Sequence, residues 1–253
     1  EGDDVRRIDW QASARGDKLQ IRLMQEDREF NAWLLVDLSA SSLAGLEARS
    51  KRDQILALSA CVIESIGQHG NRIGLWIDDG RASPALQVKP RQGRAHRLKL
   101  IELLKKHQPP LQRPEVFSHL ERLFRQVQSS LRRRSLVIVI SDFIDHSAEQ
   151  GQGWSDALAR LSRRHDLIAI KLDDPSEWEL PEHGHFMAED AETGEQLWID
   201  AENQSFRARY RSLLEEEQAD LLRLIKRSGA RLMQLSHRDD ALQALGQWLR
   251  YQR

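Results

Sequence analysis

Three apolar stretches of strand length in this chain each end at an acidic residue. They are "WLLVD", which ends at Asp37, "VIVISD", which ends at Asp142, and "LIAIKLD", which ends at Asp173. A continuously apolar run is typical of a parallel strand that is buried on both faces. Because the carboxyl ends of parallel strands meet at one edge of a sheet, the sequence predicts that these acids gather there.

Helical patterns separate the predicted strands. Apolar residues spaced three and four apart predict helices near 55–66, 98–104, 116–131, 154–165, 206–224 and 242–249. "RIGLWI" and "RLMQLS" predict further strands, and the Asp-Gly turn at 79–80 predicts that "ALQV" returns antiparallel as an edge strand. "HFMAED" and "QLWID" predict an extra hairpin. The predicted fold class is α/β, with a doubly wound, mostly parallel central sheet and helices on both faces.

The amino-terminal part is interpreted as a separate segment. "KLQIRLM", at 18–24, alternates polar and apolar residues as a half-buried strand does. The chain does not begin with Met, so residues 1–31 are interpreted as an N-terminal strand segment that ends an absent upstream region. Residues 32–253 are interpreted as the main domain.

Charge and composition disfavour several classes of partner. The chain has 38 Lys and Arg residues and 39 Asp and Glu residues. The resulting net charge of -1 does not favour binding to nucleic acid. No apolar run reaches the roughly 18 to 20 residues of a membrane helix and no secretory leader is present, so no membrane contact is expected of this segment. The single cysteine, Cys61, favours a cytoplasmic location. A membrane tether, if the full-length protein has one, is expected in the absent N-terminal region.

Oxygen ligands cluster after two of the predicted strands. Asp37, Ser39 and Ser41 alternate after the first, and Asp142 ends another. Alternation lets residues 37, 39 and 41 point the same way, and carboxylates with hydroxyls suit a hard cation such as Mg²⁺. The same side chains could instead cap backbone N–H groups in the turn. The residues alone leave both interpretations open.

A resemblance to a known family favours the metal. "VDLSASS" resembles the D-x-S-x-S motif of von Willebrand factor A domains, whose metal-ion-dependent adhesion site also uses an Asp matched by Asp142 of "ISDF". "GDDVRRIDWQASARGDKLQIR", "DDPSEWELPEHG" and "EDAETGEQLWID" extend a likeness to the bacterial domain of unknown function fifty-eight family. The resemblance implies a von Willebrand A-like domain with Mg²⁺ or Mn²⁺ at Asp37, Ser39, Ser41 and Asp142. It also implies a MoxR-type AAA+ ATPase, or its client protein, as partner.

One ligand of that adhesion site has no match in this chain. The motif adds a Thr, whereas the only threonine here, Thr193, lies in the predicted hairpin turn. The loop expected at that point carries Arg91 and Arg94, and guanidinium groups pair with carboxylates. Arg91 and Arg94 are therefore candidate substitutes for the ion, and Asp173 is a candidate neighbour of the site.

Two functions follow from this site. The favoured one is a non-enzymatic protein-interaction module with a degenerate adhesion site, an adaptor that works with a MoxR-type ATPase in protein assembly or maturation. The alternative is a Mg²⁺- or Mn²⁺-dependent phosphoesterase or nuclease, since acids from several strand ends can hold two ions. Against the alternative, the sequence offers few carboxylates for two metals and no evident general base.

Overall fold

A six-stranded sheet lies at the centre of the fold. The computed structural model describes residues 30–39, 51–68, 70–81, 84–107, 119–144, 152–173, 184–189, 196–236 and 239–251. The strands in these ranges are β1 (Asn31–Asp37), β2 (Arg72–Asp78), β3 (Leu86–Arg91), β4 (Leu136–Ser141), β5 (Asp166–Asp173), β6 (His185–Glu189), β7 (Gln196–Asp200) and β8 (Arg231–Ser236). The central sheet contains β1 to β5 and β8, while β6 and β7 form the predicted hairpin by themselves.

Six helices accompany these strands in the described ranges. They are α1 (Lys51–Gly67), α2 (Arg94–Lys106), α3 (His119–Ser130), α4 (Gln152–Ser162), α5 (Gln204–Arg227) and α6 (Ala241–Tyr251). Each overlaps one of the predicted helical segments. At the start of α5, the side chain of Asn203 accepts a hydrogen bond from the backbone N–H of Phe206 at 3.1 Å. Such a cap satisfies one of the amide groups that the first turn of a helix leaves unpaired.

The strand order confirms the predicted doubly wound, mostly parallel sheet. Across the sheet the order is β3-β2-β1-β4-β5-β8, and every neighbouring pair is parallel except β2 with β3. The chain adds strands outward on one side of β1 and then on the other side through β4. The order therefore reverses between β1 and β4, and this is where open α/β sheets bind their ligands.

Side-chain alternation divides the apolar core between the two faces of the sheet. In β1, Leu34 and Val36 pack on one face with α1, α2 and α6. Trp33 and Leu35 pack on the other face with α3, α4 and α5. Successive side chains of a strand point to opposite faces, so the continuous apolar runs are the direct consequence of covering both.

The antiparallel edge strand agrees with the sequence prediction. The chain turns after β2 at Gly80, whose φ is 77°, a conformation that glycine adopts at little cost. β3 then runs back along β2, so that Arg91, its last residue, lies opposite Ile73 near the start of β2. The end of β3 is therefore at the amino edge of the parallel strands.

The described residues do not test two of the sequence predictions. The strand predicted at 18–24 lies outside, and the division into residues 1–31 and 32–253 stays a prediction. Over the described ranges, no helix is both long enough and apolar enough to cross a membrane.

Candidate functional site at the carboxyl edge of the sheet

Three buried aspartates gather where β1, β2 and β4 end. Asp37, the last residue of β1, lies in register with Asp78, the last residue of β2. The pairing of β1 with β4 places Ser141 level with Asp37, and Asp142 follows one residue later. All three carboxylates are almost fully excluded from solvent. The structure thus brings Asp37 and Asp142 to the same edge and adds Asp78 to them.

Both oxygens of Asp37 accept hydrogen bonds. Oδ1 accepts from the backbone N–H of Ser39 at 2.9 Å, and Oδ2 accepts from the Ser141 hydroxyl at 2.6 Å. Nε2 of His119, the first residue of α3, lies 3.3 Å from the same Oδ2. Burial alone would raise the pKa of Asp37, but the charge and hydrogen bond of His119, with the bonds from Ser141 and Ser39, hold it below its ordinary value. Asp37 is therefore ionised at neutral pH.

Asp78 is held by an arginine of α3. Its Oδ1 accepts from the backbone N–H of Gly80 at 3.1 Å and from Nη2 of Arg122 at 3.0 Å. Burial raises the pKa of Asp78, against the opposing charges of His119 and Arg122. In the part of the chain that the structure describes, Asp78 Oδ2 and Arg122 Nε and Nη1 are buried without hydrogen-bond partners. Ordered water is the usual partner of such atoms.

Asp142 pairs with a lysine from the other face of the sheet. Lys51 begins α1, and its Nζ lies 3.4 Å from Asp142 Oδ2, with the two side chains 1% and 2% exposed. Asp142 Oδ1 accepts from the backbone N–H of Ile144 at 3.1 Å. Phe143 has a φ of 60°, which is uncommon for a bulky residue, and its N–H donates to the Ser141 hydroxyl at 2.8 Å. These bonds hold the exit of β4 in a tight turn.

The acids and their partners form one set of charges, which we call the carboxyl-edge network. It pairs carboxylates with cationic or ionisable basic side chains, and Ser141 links the exits of β1 and β4. Its members are Asp37, Asp78, Asp142, Ser141, Lys51, His119 and Arg122. Buried charges are tolerated only when they are paired and hydrogen-bonded, so the network holds three strand exits in a defined arrangement.

Arg91 and Arg94, the candidate substitutes for the ion, lie away from the carboxyl edge. Arg91 ends β3 at the amino edge of the parallel strands, and Arg94 begins α2 just beyond it. Both side chains are exposed. Because β3 runs antiparallel to β2, its end lies at the opposite edge of the sheet from Asp37 and Asp142.

The other two predicted residues have different positions. Ser41 lies outside the described residues. Asp173 ends β5 at the carboxyl edge, where Oδ1 pairs with Lys171 and accepts a hydrogen bond from Gln218 at 2.9 Å. Its described contacts are therefore with β5 and α5, and they do not include Asp37 or Asp142.

Sequence reasoning missed five members of the carboxyl-edge network, which are Asp78, Ser141, Lys51, His119 and Arg122. "WIDDG" is a further acidic strand exit, but its acids were interpreted only as part of a turn, so Asp78 was overlooked. Lys51, His119 and Arg122 lie on helices, and nothing in their local sequence marks them as partners of strand-end acids. His119 is 82 residues from Asp37 along the chain, and Lys51 is 91 residues from Asp142.

The described ligands do not fit the divalent ion that the adhesion-site resemblance implies. Mg²⁺ requires near-octahedral oxygen ligands at about 2.0 to 2.1 Å. The oxygens of Asp37 already accept from N–H and O–H donors, and Asp142 turns Oδ2 toward an ammonium group. Within the described ranges, no group of three or more His, Cys, Asp or Glu side chains is arranged to hold a metal ion.

Comparisons with known proteins match most of the chain. The family described as "Protein of unknown function DUF58" matches residues 1–220. An uncharacterized protein of Mycobacterium tuberculosis is 33% identical over 236 residues, which cover 92% of this chain and 71% of that protein.

Solved structures align with this chain at low sequence identity. The SpRpn10 VWA domain aligns with a TM-score of 0.47 at 8% identity, over 87% of this chain and 95% of that domain. An aerotolerance-related membrane protein from Bacteroides fragilis aligns with a TM-score of 0.55 at 14% identity, over 87% of this chain and 97% of that chain. The latter likeness shows a shared fold and nothing more specific.

Proposed function

This chain belongs to the DUF58 family, and we propose that it is an adaptor that works with a MoxR-type AAA+ ATPase in the assembly or maturation of other proteins. Its von Willebrand A-like fold suggests a protein-interaction module. The ATPase partner is proposed from the sequence resemblance. The finer proposal is that the partner is recognised at the carboxyl edge of the sheet, where the chain carries a degenerate adhesion site.

The observation that supports this most directly is the carboxyl-edge network. It lies at the switch point between β1 and β4, where ligands of open α/β sheets bind. Asp37 anchors the backbone of Ser39 and ties the exits of β1 and β4 together through Ser141. Asp37 is therefore a positioning residue, and its contacts give the edge one defined shape for a partner to recognise.

The phosphoesterase alternative has less support from the geometry. A two-metal site needs several carboxylates free to bridge ions and a basic surface to hold phosphate. The described acids of the edge instead contact the basic side chains of Lys51, His119 and Arg122. We therefore favour binding over catalysis.

We also propose that the full protein acts at the cytoplasmic face of a membrane, tethered through a region other than the described helices. The name of the B. fragilis structure calls that protein a membrane protein. This observation supports the proposal by likeness of fold only.

Binding to a purified MoxR-type ATPase from the same organism tests the proposed function. We expect wild-type protein to bind the ATPase in a pull-down and in calorimetry, and Asp37→Asn to bind it at least tenfold more weakly. The amide keeps the size of the side chain, but its NH₂ group opposes the donors of Ser141 or Ser39.

The matched control is Asp166→Asn. Asp166 is a half-exposed acid at the amino edge, and it pairs with Arg134. Its substitution should leave ATPase binding unchanged, and circular dichroism should show that both variants are folded. If both variants bound the ATPase equally well, the carboxyl edge would not be part of the recognition surface. If the wild-type protein did not bind the ATPase, the proposed partner would be wrong.

A further inference from the structure

Lys51 occupies a position that is unfavourable for a lysine. Lysine is almost never fully buried unless it is paired, yet Lys51 is 1% exposed. Asp142 is the counter-charge that makes this placement tolerable, because its Oδ2 lies 3.4 Å from Nζ.

The pairing of Asp142 with Lys51 leaves no charge deficit at that carboxylate for a divalent ion to fill. Asp142 has Lys51, Asp78 has Arg122, and Asp37 has His119 beside it. A Mg²⁺ site is built from carboxylates, whose negative charge the ion offsets, and from neutral oxygen ligands. Adding two positive charges beside Asp142, which Lys51 already pairs, would bury excess positive charge there, which is costly in a low-dielectric interior.

We propose that Lys51 is the resident cation of the carboxyl-edge network and takes the place of a divalent metal ion at Asp142. The ammonium group enters from the α1 face of the sheet, while His119 and Arg122 approach from the α3 face. The three basic side chains together do what an ion does in an acid-only site. Lys51 and Arg122 offset the charges of Asp142 and Asp78, and His119 contacts Asp37. These contacts keep the exits of β1, β2 and β4 together.

This inference deepens the proposed function and rests on it for the role of the edge in recognition. A partner at this edge meets no open coordination position on a metal, so it cannot be captured by offering a carboxylate to an ion. Recognition of the partner therefore does not depend on divalent cations. Partner binding by the wild-type protein should be the same in EDTA as in Mg²⁺.

Thermal melting of the purified chain tests the assignment without any partner. The wild-type protein should have the same Tm in Mg²⁺, in Mn²⁺ and in EDTA. Lys51→Ala leaves Asp142 buried without its counter-charge and opens space beside it, so its Tm should be lower and should rise when Mg²⁺ or Mn²⁺ is added. Lys51→Met should also have a lower Tm, but its side chain fills the space, so neither ion should raise the Tm.

Lys171→Ala is the matched control, because Lys171 is also buried and pairs with an acid, Asp173, at a strand end. It should lose stability without gaining a metal response. A metal-dependent rise in the wild-type Tm, no response of folded Lys51→Ala, or an equal response of Lys171→Ala would each overturn the assignment. If Lys51→Ala does not fold, electron paramagnetic resonance of Mn²⁺ added to the wild-type protein decides, since bound Mn²⁺ overturns the proposal and free Mn²⁺ supports it.

The two proposals fail separately. A metal response in melting overturns the role of Lys51 and leaves the ATPase-binding experiment standing. Equal ATPase binding by Asp37→Asn and Asp166→Asn removes the edge from recognition and leaves the cation assignment standing.

Discussion

At the scale of single residues, His165 is buried in the turn between α4 and β5. Neither ring nitrogen has a hydrogen-bond partner among the described residues. Burial lowers the pKa of His165, and the charge of Arg164 lowers it further, against a smaller opposing effect of Asp166. The folded protein therefore holds this imidazole in its neutral form.

The pH dependence of stability follows from His165. Its pKa is 6.5 when unperturbed and lower in the folded state, so as the pH falls below about 6.5 the unfolded chain takes up a proton before the folded chain does. The stability that depends on a neutral His165 is fully present above about pH 6.5. It is lost as the pH falls toward the pKa of the folded state. In urea titrations at a series of pH values, His165→Leu should remove this part of the decline.

His185→Leu is the control for the histidine prediction. His185 is 65% exposed and lies near Asp200 on the hairpin, so its loss should leave the decline below pH 6.5 nearly as in the wild-type protein. An unchanged pH profile for His165→Leu would show that the buried imidazole is not the source.

At the scale of secondary-structure elements, two glycines differ in the space around them. Gly74 lies in β2 opposite Trp33, and a Cβ there would come within 2.7 Å of the indole ring and 2.9 Å of the Val88 carbonyl oxygen. Gly246 lies inside α6, and a Cβ there would meet nothing within 4 Å. The same substitution should therefore have opposite effects at the two positions.

Gly74→Ala should lower the free energy of unfolding by about 1 to 3 kcal/mol, because the extra methyl group overpacks the contact between strands β1 and β2. Gly246→Ala should raise it by about 0.5 to 1 kcal/mol, because alanine is the better helix former. Urea denaturation measures both. A change of the same sign in the two variants would contradict this account.

The helices and strands were predictable because each leaves a local pattern of apolar residues or a turn in the sequence. Continuous apolar runs identified β1, β4 and β5, and the Asp-Gly turn identified β3 as an antiparallel edge. Arg91 and Arg94 lie away from the position expected for them, because their loop was placed by analogy with the adhesion site. A strand that leaves the carboxyl end of β2 and runs antiparallel must end at the amino edge, so the prediction of β3 already contradicted the position assigned to those arginines.

The partners of the site were not predictable in the same way. Strand-end acids share an edge for a local reason, which is that parallel strands end together. Which helix residue reaches each acid depends on how the helices pack on the two faces, and that packing is set by contacts distant in sequence. Lys51 therefore gave no local signal of its pairing with Asp142.

At the scale of the whole molecule, the sheet separates two apolar clusters that share the same strands. Leu58 of α1 is buried in one cluster, and Leu158 of α4 is buried in the other. Trp33, Trp76 and Trp154 all belong to the second cluster. Since residues of both clusters alternate along β1, neither face can lose its packing while the other face keeps its strands in place.

Cooperative unfolding of both faces is the resulting prediction. Leu58→Ala and Leu158→Ala should each lower the free energy of unfolding by about 2 to 5 kcal/mol, and their effects should add because the two side chains lie on opposite faces of the sheet. Circular dichroism and tryptophan fluorescence should give coincident transitions for each variant. The decisive case is Leu58→Ala, because it removes packing from the cluster that, among the described residues, contains no tryptophan. If its dichroism transition moved while its fluorescence transition stayed at the wild-type midpoint, the two faces would be unfolding separately.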